Sequence, residues 1–193
     1  MAPPGRTRSN GTYAIGGKPE HFVLNLDRQA EFSVVAPQTF STLNVPLLKG
    51  RDFAERDQFE APYTAIINEE LAKVAFPGQD PLGHLIFCGF DSPNPMVIVG
   101  VVGNMRQNGP AMPPRPELFM PYEQHPRPAA AMTLLMRTGS EPQALIEVLR
   151  KKIRDRAPQV PVKFLTMDAL LSQAFAAPWF RTLLFVIFAG LAV

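Results

Sequence analysis

Short apolar runs separated by polar turns predict a series of short strands interleaved with helices along this chain. Each predicted strand is a run rich in β-branched or other apolar residues that is bounded by Gly, Pro, Asn or Asp. The predicted strands are 31–36, 64–67, 84–88, 96–102, 117–122, 131–137 and 160–165. Residues 1–30 are expected to be mostly loop, with one candidate strand at 21–26.

Helices are predicted where a capping residue precedes apolar positions at helical spacing. Asn68 is a good N-cap, and Glu69 and Glu70 follow it in the first turn, where carboxylates favour the helix dipole. Ser140 has the capping-box spacing to Gln143. The predicted helices begin at Pro37, Asn68, Ser140 and Thr166, and the last one ends at Ala177. Their expected apolar faces are Phe40 and Leu43; Leu71, Val74 and Ala75; Leu145, Ile146, Leu149 and Ile153; Met167, Leu170, Leu171 and Ala174.

Strands alternating with helices indicate an α+β fold: a mixed sheet with helices from split βαβ-type units. The last residues, 183–193, read LLFVIFAGLAV and contain no polar side chain. A spanning helix needs about 20 apolar residues, but this run has no capping residue or charge after it. The pattern favours the start of a transmembrane helix, with Trp179 and Phe180 at its interface. The alternative is a core helix packed on the domain, and Arg181 alone argues weakly for a cytoplasmic end.

Composition and charge exclude some classes of function but do not identify the function. The 193 residues are 46% hydrophobic and 19% charged, enough for one domain or one domain of two lobes. Net charge is +2, from 19 basic and 17 acidic residues, which argues against a nucleic-acid surface. The basic cluster at 150–156 lies late on a predicted helix, where cations suit the dipole. Cys88 is the single cysteine, which excludes an intrachain disulfide. Residues 1–20 lack the apolar core of a signal peptide, so if the domain is exported, its export signal is expected upstream.

Candidate chemistry is sparse. His21, His84 and His125 are far apart in sequence and lie in no metal-binding motif. The sequence also lacks a Walker-type phosphate loop and a nucleophile elbow. Glu69 and Glu70 are adjacent on a helix and point about 100° apart, so they do not converge on one atom. The sequence therefore predicts no catalytic, cofactor-binding or metal site.

The polar loop after residue 50 carries two acidic and two basic residues, namely Asp52, Asp57, Arg51 and Arg56. This spacing indicates local ion pairs or turn contacts rather than catalysis.

The order of several segments resembles the MacB-like periplasmic core domain of ABC-transporter permeases that carry an FtsX-like membrane region. The series runs over about residues 31–193. The segments that carry the resemblance are Val34-Val35-Ala36, Phe40 to Leu43, Val45 to Phe53, Ile66 to Ala72, Phe76 to Gly83, Ile98 to Asn104, the helix 141–155, Thr166-Met167 and Trp179-Phe180-Arg181.

The resemblance implies an extracytoplasmic domain between the first and second membrane helices of an inner-membrane (plasma-membrane) permease. In that family the domain is non-catalytic and binds no cofactor. It couples ATP-driven movement of membrane helices to the export or release of a substrate. The implied partners are an ABC ATPase subunit, a second permease subunit, the membrane, and a periplasmic adaptor or lipoprotein, with no nucleic acid. The alternative is a soluble ligand- or peptide-binding module whose C-terminal helix packs on its own core.

The resemblance also divides the chain. Residues 1–30 would be a partial N-terminal part of the periplasmic domain, 31–178 its α+β body, and 179–193 the start of a truncated transmembrane helix. Within the body, Gly50, Arg51 and Asp52 form a predicted structural turn. Gly50 would supply the free φ angle, and Arg51 would reach nearby carbonyls or carboxylates. We hypothesise that this turn fixes the two lobes against each other.

Overall fold

The computed structural model describes residues 8–16, 28–92, 94–105, 112–126, 133–169 and 172. The chain divides into two units, Met1–Leu135 and Met136–Val193. The described strands are β1 Arg8–Ile15, β2 Gln29–Val35, β3 Leu47–Gly50, β4 Thr64–Asn68, β5 Leu85–Cys88, β6 Met96–Val102 and β7 Glu117–Pro121. The described helices are α1 Thr39–Thr42, α2 Glu69–Ala75 and α3 Pro142–Arg156. All the strands belong to the first unit and α3 to the second.

The sheet of the first unit is mixed, with the strand order β3-β6-β4-β7-β2-β1-β5. The β2–β7 and β4–β6 pairs are parallel, and the remaining pairs are antiparallel. The strand β5 also pairs with β6, so the pairings run around a closed circuit of six strands. The short strand β3 lies outside this circuit, along β6. The predicted mixed α+β fold is confirmed.

The larger hydrophobic core lies inside the circuit. It contains side chains from all six strands of the circuit, as the interior of a closed sheet does. Leu71 of α2 and Phe76, which ends that helix, join the same cluster. Its strand residues are Tyr13, Ala30, Phe32, Ala65, Ile67, Ile86, Cys88, Met96, Ile98, Val101, Leu118 and Met120.

A second core covers the outer face. Ile66 and Phe119, which alternate with inward residues on β4 and β7, point into it. Phe40 of α1 meets the Phe119 ring edge-to-face, with centroids 4.9 Å apart. Both β4 and β7 are therefore buried on both faces, which explains why residues 65–67 are consecutive apolar residues rather than an alternating pattern.

Five predicted strands are confirmed, those at 31–36, 64–67, 84–88, 96–102 and 117–122. The loop prediction is wrong for Arg8–Ile15, which forms β1. Arg8–Thr12 pairs with β2, and Tyr13–Ile15 pairs with β5. Such cross-strand pairing outweighs the weak strand propensity of a segment that contains Asn and Gly. The candidate strand at 21–26 lies outside the described residues.

Two predicted strands are wrong in their described parts. Residues 133–137 and 160–165 join no sheet. Their local pattern suits a strand, but a strand needs a neighbour to accept its backbone hydrogen bonds.

Two of the three predicted helix N-caps are confirmed, and one is wrong. Asn68 caps α2 as predicted, accepting the Leu71 N–H at 2.9 Å. Thr166 also accepts the Ala169 N–H, at 3.2 Å. The predicted capping box at Ser140 is wrong, because α3 begins after Glu141 with no side-chain cap, and Pro142 occupies its first turn. Val74 was expected on the apolar face of α2 but is 54% exposed.

Among the described residues, no helix is both long enough and apolar enough to cross a membrane. The predicted transmembrane start at 179–193, which includes the apolar run 183–193, lies outside the part of the chain that the structure describes.

Candidate functional site

The predicted turn at residues 50–52 lies where β3 leaves the sheet. Gly50 has φ of 72°, in the left-handed region, and pairs with Gly100 of β6. A Cβ at Gly50 would lie 2.2 Å from the Val99 carbonyl oxygen, and one at Gly100 would lie 2.4 Å from the Arg51 carbonyl oxygen. The two glycines thus allow the backbones of β3 and β6 to approach each other where side chains would not fit.

Arg51 closes the loop that follows. Its guanidinium donates two parallel hydrogen bonds to Asp57, Nη1 to Oδ2 at 2.7 Å and Nη2 to Oδ1 at 2.8 Å. Nη1 also donates to the Asp52 carbonyl oxygen at 3.0 Å. The Ala54 N–H donates to Asp57 Oδ2 at 2.9 Å, so the Asp57 carboxylate organises the whole 51–57 loop. The side chain of Phe53 anchors this loop to the outer core.

The electrostatics of the loop follow from these contacts. Burial alone would raise the pKa of Asp57, but hydrogen bonds from Arg51 and Ala54 outweigh burial and lower it. The bond to Asp57 raises the pKa of Arg51 further above its usual range. Burial raises the pKa of Asp52 despite a hydrogen bond from Phe53. The printed side-chain hydrogen bonds of Arg51 go to residues 52 and 57, while its backbone N–H donates to the Val99 carbonyl oxygen of β6 at 2.9 Å. Its role in fixing two lobes stays a prediction.

Asn68 links three elements at one end of the sheet. Its Oδ1 accepts the Leu71 N–H of α2 and the Glu117 N–H of β7, both at 2.9 Å. Its Nδ2 donates to the Arg115 carbonyl oxygen at 2.7 Å. The side chain is 1% exposed, so this single amide joins β4, α2 and the start of β7 without contact with water.

Asn104 holds the start of α2 from the other side. Its Oδ1 accepts the Glu70 N–H at 3.0 Å, and its Nδ2 donates to Glu69 Oε2 at 3.2 Å. Glu69 also pairs with Lys73 one turn later. The two adjacent glutamates therefore belong to the helix start, as the sequence predicts, and not to a carboxylate dyad.

His125 is a buried site residue to which the sequence assigns no role. Its Nδ1 lies 2.5 Å from Asp91 Oδ1, and its ring meets Tyr63 edge-on with centroids 5.4 Å apart. The neighbouring Gln124 accepts the Thr64 N–H at 3.0 Å and donates to two loop carbonyl oxygens at 3.1 Å. A polar Gln-His pair just after an apolar strand is the only sequence signal for this cluster.

The other candidate groups are separate. His84 packs against the Phe76 ring, and His21 lies outside the described residues. Cys88 is buried in the inner core next to Met120, and burial raises its pKa to about 12. No group of three His, Cys, Asp or Glu side chains in the described ranges is placed to hold a metal ion. The side chains of Asn68, Arg51, Asp57 and Gln124 thus stabilise the backbone: they cap a helix, close a loop and link strand ends.

The family is decided by a sequence profile. The profile described as "MacB-like periplasmic core domain" matches residues 8–152, from the start of β1 into α3. The chain belongs to the family of MacB-like periplasmic core domains. The match begins at β1 and so includes residues that the sequence pattern alone assigns to loop. Residues 8–152 are thereby an extracytoplasmic domain of the permease type.

One solved structure is similar in fold to this chain. The periplasmic region of MacB from Actinobacillus actinomycetemcomitans superposes with a TM-score of 0.55 at 17% identity, over 78% of this chain and 64% of that one. The chain thus spans just under two thirds of that region. A domain of a putative permease from Porphyromonas gingivalis (17% identity, 79% and 65% covered) and the extracellular domain of the transporter YknZ from Gram-positive bacteria (14%, 77% and 77%) each give a TM-score of 0.46. A comparison with curated protein sequences gives no match.

Proposed function

We propose that this MacB-like domain is a non-catalytic mechanical element of an ABC-transporter permease at the inner (plasma) membrane. It would couple ATP-driven movement of the membrane helices to export or release of a substrate on the extracytoplasmic side. ATP hydrolysis would reside in a separate ATPase subunit or domain. A second permease subunit and a periplasmic adaptor or lipoprotein complete the proposed partners. The family match over residues 8–152 carries this proposal.

The bracing side chains support a mechanical role. A domain transmits force effectively when its strands and helices keep their relative positions. In this domain, buried side chains hydrogen-bond neighbouring elements together at the ends of the sheet. Asn68 joins three elements, and Arg51 clamps its loop through a bidentate pair with Asp57. Charge-assisted bidentate bonds are geometrically specific, so they keep the loop in one position under load.

The coupling is tested on the intact permease with its ATPase subunit, by a measurement that needs no knowledge of the substrate. Hydrogen exchange is compared between the nucleotide-free transporter and the transporter trapped with ADP and vanadate. We expect exchange to change at the boundaries of the domain while the core strands β4 and β7 stay protected in both states. An ATPase variant that binds nucleotide but cannot hydrolyse it serves as the control for trapping.

The result that would contradict coupling is also clear. If no segment within residues 8–152 changes its exchange between the two nucleotide states, the domain does not respond to the ATPase. Deletion of the domain gives a second readout: ATP turnover should persist, but it should lose any dependence on the extracytoplasmic partner.

A further inference from the structure

Asn10 and Gly11 form an Asn-Gly dipeptide within the strand β1. In such a dipeptide the backbone nitrogen of the second residue can attack the side-chain amide carbon of the asparagine, and glycine hinders this attack least because it has no Cβ. The Asn10 side chain is exposed, so water reaches its amide. The dipeptide is therefore a chemically reactive position inside an element of the sheet.

Packing explains why a glycine follows Asn10. A Cβ at Gly11 would lie 2.8 Å from Cε2 of Phe32, whose side chain is 3% exposed in the inner core. The Phe32 ring also meets the Phe90 ring edge-on, with centroids 6.1 Å apart, so it is held on a second side. The inner core thus favours glycine at position 11, and the reactive dipeptide is a consequence of that packing.

Hydrogen bonding in the sheet restrains the attacking nitrogen. Glu31 of β2 donates its N–H to the Pro116 carbonyl oxygen at 2.9 Å, so its backbone groups face the β7 side. Successive residues of a strand direct these groups to opposite sides, so those of Ala30 face β1. Ala30 lies opposite Gly11, and the Gly11 N–H therefore donates to the Ala30 carbonyl oxygen. Attack on Asn10 requires that this bond break and that the strand leave its extended form.

The half of β1 that contains Asn10 is weakly held. Among the described strands, β2 alone pairs with Arg8–Thr12, whereas β5 pairs with Tyr13–Ile15. Asn and Gly have low strand propensity, and glycine gains the most backbone freedom on release from the sheet. Segments of this kind open at a lower free energy than the whole domain unfolds. Local detachment of Arg8–Thr12 from β2 is therefore the easiest route by which Asn10 becomes reactive.

We propose that Asn10 is a site of spontaneous deamidation that is gated by detachment of Arg8–Thr12 from β2. The Gly11 nitrogen bonds to Asn10 Cγ, the Cγ–Nδ2 bond breaks, and ammonia leaves with the proton of the Gly11 amide. Water then opens the succinimide ring, which gives aspartate or isoaspartate. Isoaspartate routes the main chain through Cβ, and the added backbone atom disturbs the register between β1 and β2. The reaction is a one-way chemical switch on β1, and it operates whether or not the domain couples transport.

The first test measures deamidation by peptide mass spectrometry in the 193-residue chain, stored in mildly alkaline buffer with and without urea. We expect Asn10 to react at least about tenfold more slowly in the folded chain. The other Asn-Gly dipeptide, Asn108-Gly109, gives a reference rate in urea, where both dipeptides should react at similar rates. Asn10→Gln is the matched control, because glutamine must close a larger ring and should give almost no product.

Two substitutions distinguish local detachment from global unfolding. Ile15 on β1 and Leu82 before β5 are both half-buried, and both pack against the inner core. After correction for the loss of global stability, Ile15→Ala should speed the reaction of Asn10 at least about threefold more than Leu82→Ala. Wild type in urea below its unfolding transition gives a second measurement that needs no variant. Local detachment exposes little surface, so the rate should rise only slightly with urea.

The effect of the product is measured by hydrogen exchange at residues 29–33 of β2. The isoaspartyl chain should exchange there at least about tenfold faster than wild type. Asn10→Asp carries the same charge without the added backbone atom, and its carboxylate lies opposite Glu31. This variant should change the exchange by less than about fivefold.

Three results would overturn the proposal. Deamidation of Asn10 at the urea rate in the folded chain would show that pairing with β2 does not restrain Gly11. Equal acceleration by Ile15→Ala and Leu82→Ala, or a steep rise of the rate with urea, would assign the reaction to global unfolding. Unchanged exchange in the isoaspartyl chain would show that the product does not act as a switch on β1.

Discussion

Arg51 and Asp57 are six residues apart and meet in two parallel hydrogen bonds of 2.7 and 2.8 Å. The Asp57 side chain is 4% exposed and that of Arg51 is 31% exposed, so the carboxylate depends on this guanidinium for much of its solvation. The same carboxylate accepts the Ala54 N–H, so the pair determines the shape of the 51–57 loop and the entry of Phe53 into the outer core.

Replacing Arg51 by alanine is expected to lower the free energy of unfolding by about 2–3 kcal/mol, because Asp57 is left buried with an unpaired charge. Thermal unfolding should shift down by about 2–4 °C for each kcal/mol. Arg56→Ala is the matched control, since Arg56 is exposed and lies in the same loop. Equal melting temperatures for the two variants would show that the pair does not stabilise the loop.

Stability should depend on pH through Asp57. Its folded pKa is below the ordinary value of 3.8, so its contribution is present above that value and is lost as the pH falls through the folded pKa. The stability difference between wild type and Asp57→Asn should therefore be largest near neutral pH and shrink as the pH drops below 3.8.

Burial raises the pKa of Asp52, whose contribution has the opposite sign. Asp52 is present in both proteins, so its effect differs between wild type and Asp57→Asn only through the Asp57 charge, which is the last of the causes that shift the pKa of Asp52. Chemical unfolding at a series of pH values measures the difference. A difference that does not change with pH would contradict the lowered pKa of Asp57.

Asn68→Ala should lower the free energy of unfolding by about 2–3 kcal/mol. The substitution removes the N-cap of α2, and it also removes the side-chain partner of the Glu117 N–H and of the Arg115 carbonyl oxygen. Urea unfolding measures the loss. Asn94→Ala, at an exposed position in a turn, should change stability by less than about 0.5 kcal/mol. If both variants lose the same amount, Asn68 is not the link between β4, α2 and β7.

Gly50→Ala and Gly78→Ala separate two costs of adding a side chain. Both glycines have positive φ, 72° and 71°, so both substitutions strain the backbone by about 1 kcal/mol. A Cβ at Gly50 would also lie 2.2 Å from the Val99 carbonyl oxygen, whereas at Gly78 nothing lies within 4 Å. We expect Gly50→Ala to be the less stable variant by about 2 kcal/mol or more. Similar melting curves would mean that β3 moves away from β6 at little cost.

Cys88 should react with alkylating reagents only when the domain unfolds. The side chain is 3% exposed and burial raises its pKa to about 12, so native protein at pH 8 holds almost no accessible thiolate. Mass spectrometry should show labelling at least about a hundredfold slower than in denatured chain. Labelling at the denatured rate would show that the inner core opens readily around β5.

Local features were predictable where one segment supplies its own partners. Asn68 caps the helix that begins beside it, and Arg51 meets a carboxylate in its own loop. The contact from Asn68 to Glu117 joins residues 49 positions apart in the sequence, and that from Asp91 to His125 joins residues 34 positions apart. No sequence spacing predicts either contact.

Errors in the strand predictions have the same origin. Segment 160–165 has a strand pattern without a neighbour and joins no sheet. Arg8–Ile15 lacks a strand pattern, yet it pairs on two sides and forms β1. Its Gly11 leaves room for the Phe32 ring, which a Cβ would approach to 2.8 Å. A one-dimensional pattern records what a segment could bury, but not what it would pair with.

By itself, the sequence determined the α+β class, five of the strands, the start of α2 and the resemblance to the MacB-like family, because these depend on local propensity, capping and the order of short motifs. Tertiary structure alone decided that the strands close into a circuit, that β1 belongs to it, and that Asn68 and His125 are buried ties between elements. The physical reason is that backbone pairing and desolvation of polar groups act between segments, and their energies exist only once those segments meet.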